Sequence, residues 1–406
     1  MLLPALAAAQ LLPGVGQTLP GVIPDVVGGV TGTLGLDQLE RLSPVRAADR
    51  LLAARTERLA QLVTRNPQSV ALDDRGQPAR RDSILVTGID DAGLKALRTA
   101  GYSVNRESID GLDISVARVA LTEGSDLARE LKRVRKLTPG AEASGDTLYF
   151  TSGSGTPLPA ASSALAGASG DINARLGLID GGVAAHPALS QVEQRGFAKG
   201  APMPSEHGTA VASLIVGKGP IQGAAPGNPL LVGDVYGDDP AGGGALAIAR
   251  AFGWMIGRGV KIVTISLVGP DNPLLRHAVG IAQRKGMTIV AAVGNDGPAA
   301  PPSYPASWPG VIAVTGVDGR ERVLIEAGRA LHVDFAAPGA EMRAATTSGG
   351  SAPVRGTSFA APLVAGSLYS AQSIEALAKD AKDLGKKGPD KVYGRGLICG
   401  SCRNMR

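Results

Sequence analysis

Between Leu176 and Val317 the chain repeats one pattern: a short apolar run, a glycine-rich turn, then a longer stretch of helical spacing. The apolar runs are Leu176–Ile179, Leu230–Val235, Val260–Leu267, Met287–Val293 and Val311–Val317, with helical stretches such as Ala245–Ile256 and Leu274–Arg284 between them. A strand buried on one face alternates apolar with polar residues, whereas a strand covered on both faces is apolar nearly throughout. The pattern predicts an α/β fold with a doubly wound, mostly parallel sheet. In such a sheet ligands sit beyond the carboxyl ends of the strands. The residues of interest are therefore the polar ones just past each run.

That unit accounts for only part of 406 residues. At roughly 150 residues per domain, two or three units are expected. Residues 81–151 parse as a small α+β unit. Its strands are Ile84–Val86, Tyr102–Arg106, Leu112–Val119 and Thr147–Phe150, and its helices are Asp90–Ala100 and Ser125–Lys136. The order β-α-β-β-α-β is that of a split, ferredoxin-like unit, which by itself says little about function. Residues 152–170 are rich in Ser, Gly, Ala and Pro and uncharged, the composition of a flexible linker open to proteolysis. The large α/β unit spans 171–398, and a tail holding Cys399 and Cys402 closes the chain at 399–406.

The first 80 residues read differently. Met1 to Leu39 contains no Lys or Arg, and its Leu- and Ala-rich start resembles the apolar core of a secretory signal without the basic segment that should precede it. With the features below, it leads us to expect a secreted or periplasmic protein; a disordered apolar leader is the bland alternative. Asp37–Thr64 has leucines at helical spacing amid arginines, and its role is not readable. A net charge of +5 is spread along the chain, and the basic run Arg129–Lys136 fits the solvated face of one helix, so no nucleic-acid partner is expected. Nowhere do 18 apolar residues run together, so no membrane span is expected.

Four polar residues stand at the places the sheet singles out. Asp180 follows the run ending at Ile179 and precedes two glycines, and Asn295 follows Ala292-Val293-Gly294. His207 opens His207-Gly208-Thr209-Ala210, and Ser358 lies in Gly356-Thr357-Ser358-Phe359-Ala360-Ala361-Pro362, both at helix starts. Singly, Asp180 and Asn295 read as turn formers, Ser358 as a helix cap and His207 as a packed histidine. Together, the bland reading needs four coincidences in one order.

In that order, Asp-Gly-Gly, His-Gly-Thr, Gly-Asn and Gly-Thr-Ser-Phe-Ala-Ala-Pro resemble the motifs of the subtilisin-like serine peptidases. The likeness runs on through Tyr304-Pro305-Ala306, Ala336-Ala337-Pro338-Gly339 and Tyr393-Gly394-Arg395-Gly396, covering about Asp171 to Ile398. It implies a serine endopeptidase in which Ser358 is the nucleophile, His207 the general base and then acid, and Asp180 the group that fixes the His207 tautomer. Of the other histidines, His186 lies in a loop, His277 on a helix and His332 in an apparent strand. The Asn295 side chain and the Ser358 backbone N–H would hold the oxyanion. By the same resemblance Ser266, Leu267, Val268 and Gly269 form the strand that binds a polypeptide substrate by strand addition. Val268 stands where glycine is expected and would narrow the pocket for the residue before the scissile bond; simple space-filling is the alternative.

The 81–151 unit resembles the family's propeptide, an intramolecular inhibitor in a self-cleaving zymogen. The family often carries calcium, but no acidic loop here is assignable to it, so no cofactor or metal is assigned. Two cysteines three apart cannot complete a zinc site and are expected to form a local disulfide in an oxidising compartment; a redox pair is the minor alternative. The competing functional reading is a binding or scaffold protein that kept the fold without turnover. An α/β-hydrolase esterase is disfavoured, because the serine is not in Gly-x-Ser-x-Gly and the order of the three residues is wrong.

Overall fold

The computed structural model describes residues 38–39, 41–152 and 175–404. The signal-like leader and residues 153–170 of the expected linker lie outside the described residues. Its large unit is built on a seven-stranded parallel sheet. The strands are β7 (Leu176–Asp180), β8 (Val192–Gly196), β9 (Leu230–Asp234), β10 (Ile262–Ile265), β12 (Thr288–Ala292), β13 (Ile312–Val317) and β14 (Phe335–Pro338), in the order β14-β13-β12-β10-β7-β9-β8. All five expected runs form strands of this sheet. The edge strands β8 and β14 were not expected: Val192–Gly196 reads Val-Glu-Gln-Arg-Gly, with no apolar run to mark it.

Helices cover both faces, as continuous apolar strands require. On one side lie α5 (Ala245–Gly257) and α6 (Pro273–Arg284), whose Leu246, Phe252, Leu275 and Val279 pack on Ile179, Val263 and Ile289. On the other lie α4 (Glu206–Val216) and α7 (Ala361–Ala371), whose Val211, Ile215, Val364 and Leu368 pack on Leu178, Val232 and Val290. Each fully buried Leu, Ile or Phe contributes about 1.5–3 kcal/mol of transfer free energy. The central strands β7 and β10 are thus clamped from both sides and make rigid supports for whatever stands at their ends.

The N-terminal unit has its own sheet. Its elements are β1 (Val70–Leu72), β2 (Pro78–Thr87), α2 (Asp91–Thr99), β3 (Ser103–Ile109), β4 (Ile114–Ala120), α3 (Leu127–Leu137) and β5 (Glu142–Thr147). The sheet runs β1-β2-β4-β3, with β5 paired to the other stretch of β2. Asp90 and Asp126 cap the two helices by accepting from Gly93 N–H and Arg129 N–H. One face of the sheet packs on α2 and α3 through Leu94, Leu97, Leu131 and Val134. Its other face, carrying Leu85, Ile109, Ile114 and Val116, joins the core formed by α5 and α6.

Four boundaries differ from those read in the sequence. The N-terminal sheet begins at Val70, not Arg81, because the short β1 carries no alternation of its own. The expected strand Thr147–Phe150 divides: Glu142–Thr147 stays in the sheet, while Phe150–Thr151 (β6) leaves to pair with β11 (Leu267–Val268) of the large unit. Ser152, placed by composition at the head of the linker, is buried with β6 in the same cleft. Ahead of both units, α1 (Pro44–Arg65) starts at Pro44 behind Ser43 rather than at Asp37. The tail after β14 ends in a 3₁₀ turn, Gly400–Asn404, where Cys399 and Cys402 are disulfide-bonded.

Candidate active site

Asp180 is the last residue of β7 and is fully buried. Its carboxylate accepts from Gly181 N–H at 2.8 Å and faces His207 Nδ1 at 2.9 and 3.0 Å. A carboxylate can only accept, so Nδ1 carries the imidazole proton and Nε2 is left as an acceptor. His207 sits in the first turn of α4, whose N-cap Ser205 accepts from Gly208 N–H. The glycines after Asp180 and His207 let β7 and α4 touch: a Cβ on Gly208 would lie 2.3 Å from the Gly181 carbonyl oxygen. The motif residues Asp-Gly and His-Gly are thus one close approach seen from its two sides.

The neighbouring strand end carries a second buried carboxylate. Asp234 closes β9 opposite Asp180 and accepts from the backbone N–H groups of Met203, Tyr236 and Gly237. Burial pushes its carboxyl above the ordinary range, opposed by those three donors. Its bond to Met203 ties the loop before α4 to the sheet. Sequence reasoning missed Asp234, because it lies inside the run Leu230–Val235, which reads only as a buried strand.

Ser358 lies in the 3₁₀ turn Thr357–Phe359 that leads into α7, with Pro362 at the start of that helix. The ring of Phe359, next in sequence to Ser358, is 5.6 Å from the His207 ring. Ser358 Oγ approaches the Ser152 hydroxyl at 2.6 Å and the Ser266 carbonyl oxygen at 3.2 Å. His207 Nε2 is buried and has no hydrogen-bond partner among the described residues. Asn295 follows β12 and Gly294; its Oδ1 accepts from Thr357 N–H at 3.0 Å, which turns Nδ2 toward the cleft. Thr357 Oγ1 also bonds Gly294 N–H and its carbonyl oxygen. Thr357 therefore locks the Asn295 loop to the Ser358 turn.

The cleft is filled by the chain's own segment. The Ser152 carbonyl oxygen accepts hydrogen bonds from Asn295 Nδ2 and from Ser358 N–H, the latter at 3.3 Å. Ser152 N–H donates to the Ser266 carbonyl oxygen at 3.1 Å. One residue back, β6 pairs antiparallel with β11, Thr151 opposite Leu267 and Phe150 opposite Val268. On the other side Tyr149 N–H donates to Gly243 O at 2.9 Å, and the Tyr236 hydroxyl donates to Tyr149 O at 2.7 Å. The Tyr149 ring lies against Gly269, where any Cβ would meet it within 2.8 Å, and its hydroxyl donates to Pro270 O. Ser266, Leu267 and Val268 thus line an extended peptide. Gly269 supplies room for a ring and bonds its backbone to Tyr304.

Asn295, Ser358 and Ser266 thus meet at Ser152, while Asp180 pairs with His207. The remaining histidines stand apart from these residues. His186 Nδ1 accepts from Ala188 N–H; His277 is on α6; and His332 lies in the loop before β14, not in a strand, with Nε2 on Val311 O. Among the described residues, no three His, Cys, Asp or Glu side chains gather to hold a metal ion. The missed residues are Ser152, Tyr149, Thr357 and Asp234. Thr357 stood inside the Gly-Thr-Ser motif without a role of its own, and Tyr149 lay in the strand-like Thr147–Phe150 run that stops just short of Ser152.

The model of the subtilase family matches residues 173–395. The minor extracellular protease Epr of Bacillus subtilis is 30% identical over 244 residues, covering 56% of this chain and 38% of Epr. Subtilisin DY of Bacillus licheniformis is 30% identical over 247 residues, 56% of this chain and 89% of that protein. Fervidolysin from Fervidobacterium pennivorans, described as a keratinolytic enzyme related to subtilisin, shares the fold at TM-score 0.63 and 20% identity. That likeness covers 83% of this chain and 63% of fervidolysin, well beyond residues 173–395.

Proposed function

The chain belongs to the subtilase family, and on that premise we propose that it hydrolyses peptide bonds through Ser358, His207 and Asp180 and is made as a self-cleaving zymogen. The observation that carries this reading is the position of the Ser152 carbonyl oxygen between Asn295 Nδ2 and Ser358 N–H. Two converging N–H donors at a carbonyl stabilise the charge that develops when a nucleophile adds to it.

The chemistry follows from the placement. Ser358 Oγ forms a bond to the Ser152 carbonyl carbon while His207 Nε2 takes its proton. Asp180 holds Nδ1–H and stabilises the imidazolium without itself being protonated. The oxyanion rests on Asn295 and on Ser358 N–H. On collapse the Ser152–Gly153 C–N bond breaks, and His207 returns the proton to the Gly153 amine. Water, deprotonated by His207 Nε2, then adds to the acyl carbon. The ester bond to Ser358 Oγ breaks, His207 returns the proton to that oxygen, and Ser152 leaves as a carboxylate. Polypeptides in general enter as Phe150–Ser152 does, as a strand added to β11, which favours extended chains.

The N-terminal unit keeps its own strand in the cleft and acts as an inhibitor, intramolecular until the chain is cut. Several contacts support this. Asp146 Oδ1 accepts from Leu246 N–H at the start of α5; Asn272 Nδ2 donates to Gly145 O and Thr147 Oγ1; and Arg80 pairs with Asp239 at 2.6 Å. Epr is by its name extracellular, and we place this chain likewise outside the cytoplasm. No helix among the described residues is long and apolar enough to cross a membrane. The test is hydrolysis of a fluorogenic peptide by the wild-type chain and by Ser358→Ala. Turnover by the first and none by the second supports the reading, whereas inactivity of both after the N-terminal unit is trimmed supports a binding protein.

A further inference from the structure

Helix α1 belongs to neither sheet, yet it is seated against the catalytic cleft. Arg55 Nε lies 3.1 Å from Asp296 Oδ2, and Arg58 Nη2 bonds Asp296 Oδ1, so both oxygens of one carboxylate are held by α1. Asp296 directly follows Asn295. The next residue, Gly297, has φ +81°, and a Cβ there would lie 2.8 Å from Leu51 Cδ1. Leu51 and Ala47 are fully covered, with Ile325 beside them. One turn of the catalytic unit, Asn295–Gly297, thus offers a carboxylate and a bare backbone, and α1 meets them with two arginines and a leucine on one face. Farther along, Leu62 and Val63 cover Phe150, the residue of β6 opposite Val268. Between these contacts Arg55, Arg58, Leu59 and Leu62 roof a cavity of about 310 Å³ whose floor includes Ser152, Val268 and Asn295.

We propose that Asp296, Gly297 and Ile325 form a docking site for the basic amphipathic helix α1, and that α1 held there is a second lock on the cleft, separate from the strand β6. This rests on the proposed function above and extends it. The N-terminal sheet and β6 occupy the substrate path, whereas α1 grips the outside of the loop that carries the oxyanion donor. Cutting Ser152–Gly153 does not release α1, because α1 lies on the same fragment as β6 and its contacts to Asp296, Gly297 and Ile325 do not depend on that bond. The lock therefore makes cleavage and activation two separate events. The occupant is this chain's own helix, since the arginine spacing i, i+3 matches the two oxygens of Asp296 and Leu51 sits one turn before them on the same face.

The test uses full-length chains carrying Arg55→Ala/Arg58→Ala or Leu51→Asp. In the wild-type background the masses give the cleavage time, and a fluorogenic peptide gives the lag before activity. The expected result is unchanged cleavage with a lag shortened about tenfold, the size expected when two half-buried pairs to one carboxylate are lost. In the Ser358→Ala background, hydrogen exchange should rise in α1, in 295–298 and near Ile325, while β2–β5 stay protected. That readout needs no activity, so it separates failure of the lock from failure of the enzyme assignment. An unchanged exchange pattern in both variants overturns docking, and an unchanged lag with increased exchange overturns the lock.

Discussion

The backbone N–H of Ser358 donates to the carbonyl oxygen of Ser152 at 3.3 Å, and the Asn295 side-chain amide converges on the same oxygen. A carbonyl held by two donors beside a serine hydroxyl is in the position of a bond about to be attacked. Ser152 N–H is at the same time fixed to Ser266 O, so both ends of the residue are registered against the catalytic unit. The arrangement gives the cleft a direction: Phe150 and Thr151 run along β11 and lead to Ser152 beside Ser358.

Removing the Asn295 amide should cost turnover rather than binding. Asn295→Ala is expected to lower kcat about 100- to 1000-fold with little change in KM, the range seen for loss of one such donor in subtilisin itself. Steady-state kinetics on a peptide substrate check this. A loss below about fivefold would mean that Asn295 does not face the oxyanion.

Val268 is expected to take up space that a larger substrate side chain would need. A Cβ on Gly294 would already lie 3.3 Å from Val268 Cγ1 and 3.8 Å from Ser303 Cβ. The residue that occupies the cleft beside them is a serine. The wild-type enzyme should therefore prefer small residues before the scissile bond. Val268→Gly should raise kcat/KM for Phe relative to Ala at that position about tenfold or more, the scale of a few methylenes in an apolar pocket. An unchanged ratio would assign Val268 to packing alone.

Asp146 makes the hold of the N-terminal unit depend on pH. It is completely buried against the start of α5, and desolvation raises its pKa above 3.8 despite the Leu246 N–H and the nearby Arg80 and Arg118; Asp82 adds to the rise. A carboxyl whose pKa is higher in the complex than in the free fragment takes up a proton on association. The contribution is therefore fully present below the ordinary carboxylate value. It is lost as pH rises from that ordinary value through the raised one. Inhibition by the cleaved fragment should weaken across that window in the wild type. Asp146→Asn, which stays neutral, should weaken less. Parallel pH profiles for both proteins would remove Asp146 from the account.

The sheet and the site were legible because both rest on strong local signals. Strands β7, β10 and β12 are apolar since both faces are covered, and their carboxyl ends pointed to Asp180 and Asn295. The glycines of Asp-Gly-Gly and His-Gly mark a backbone contact that admits no side chain. What could not be read depends on contacts distant in sequence. Strand β8 is polar because it is an edge. Ser152 sits among linker residues of the same composition, and only its pairing 206 residues away with Ser358 gives it a role. Helix α1 showed its amphipathic pattern in the sequence but not its partner, because Asp296 and Gly297 look like an ordinary turn until Arg55, Arg58 and Leu51 are placed on them.

The central claim is that Ser358 cuts its own chain after Ser152. Intact mass spectrometry of the freshly purified wild-type chain and of Ser358→Ala, followed over time, tests it most directly. The wild type should resolve into two fragments whose masses place the first cut between Ser152 and Gly153, while Ser358→Ala stays whole. A first cut at another bond, or the same cut in Ser358→Ala, would contradict the account.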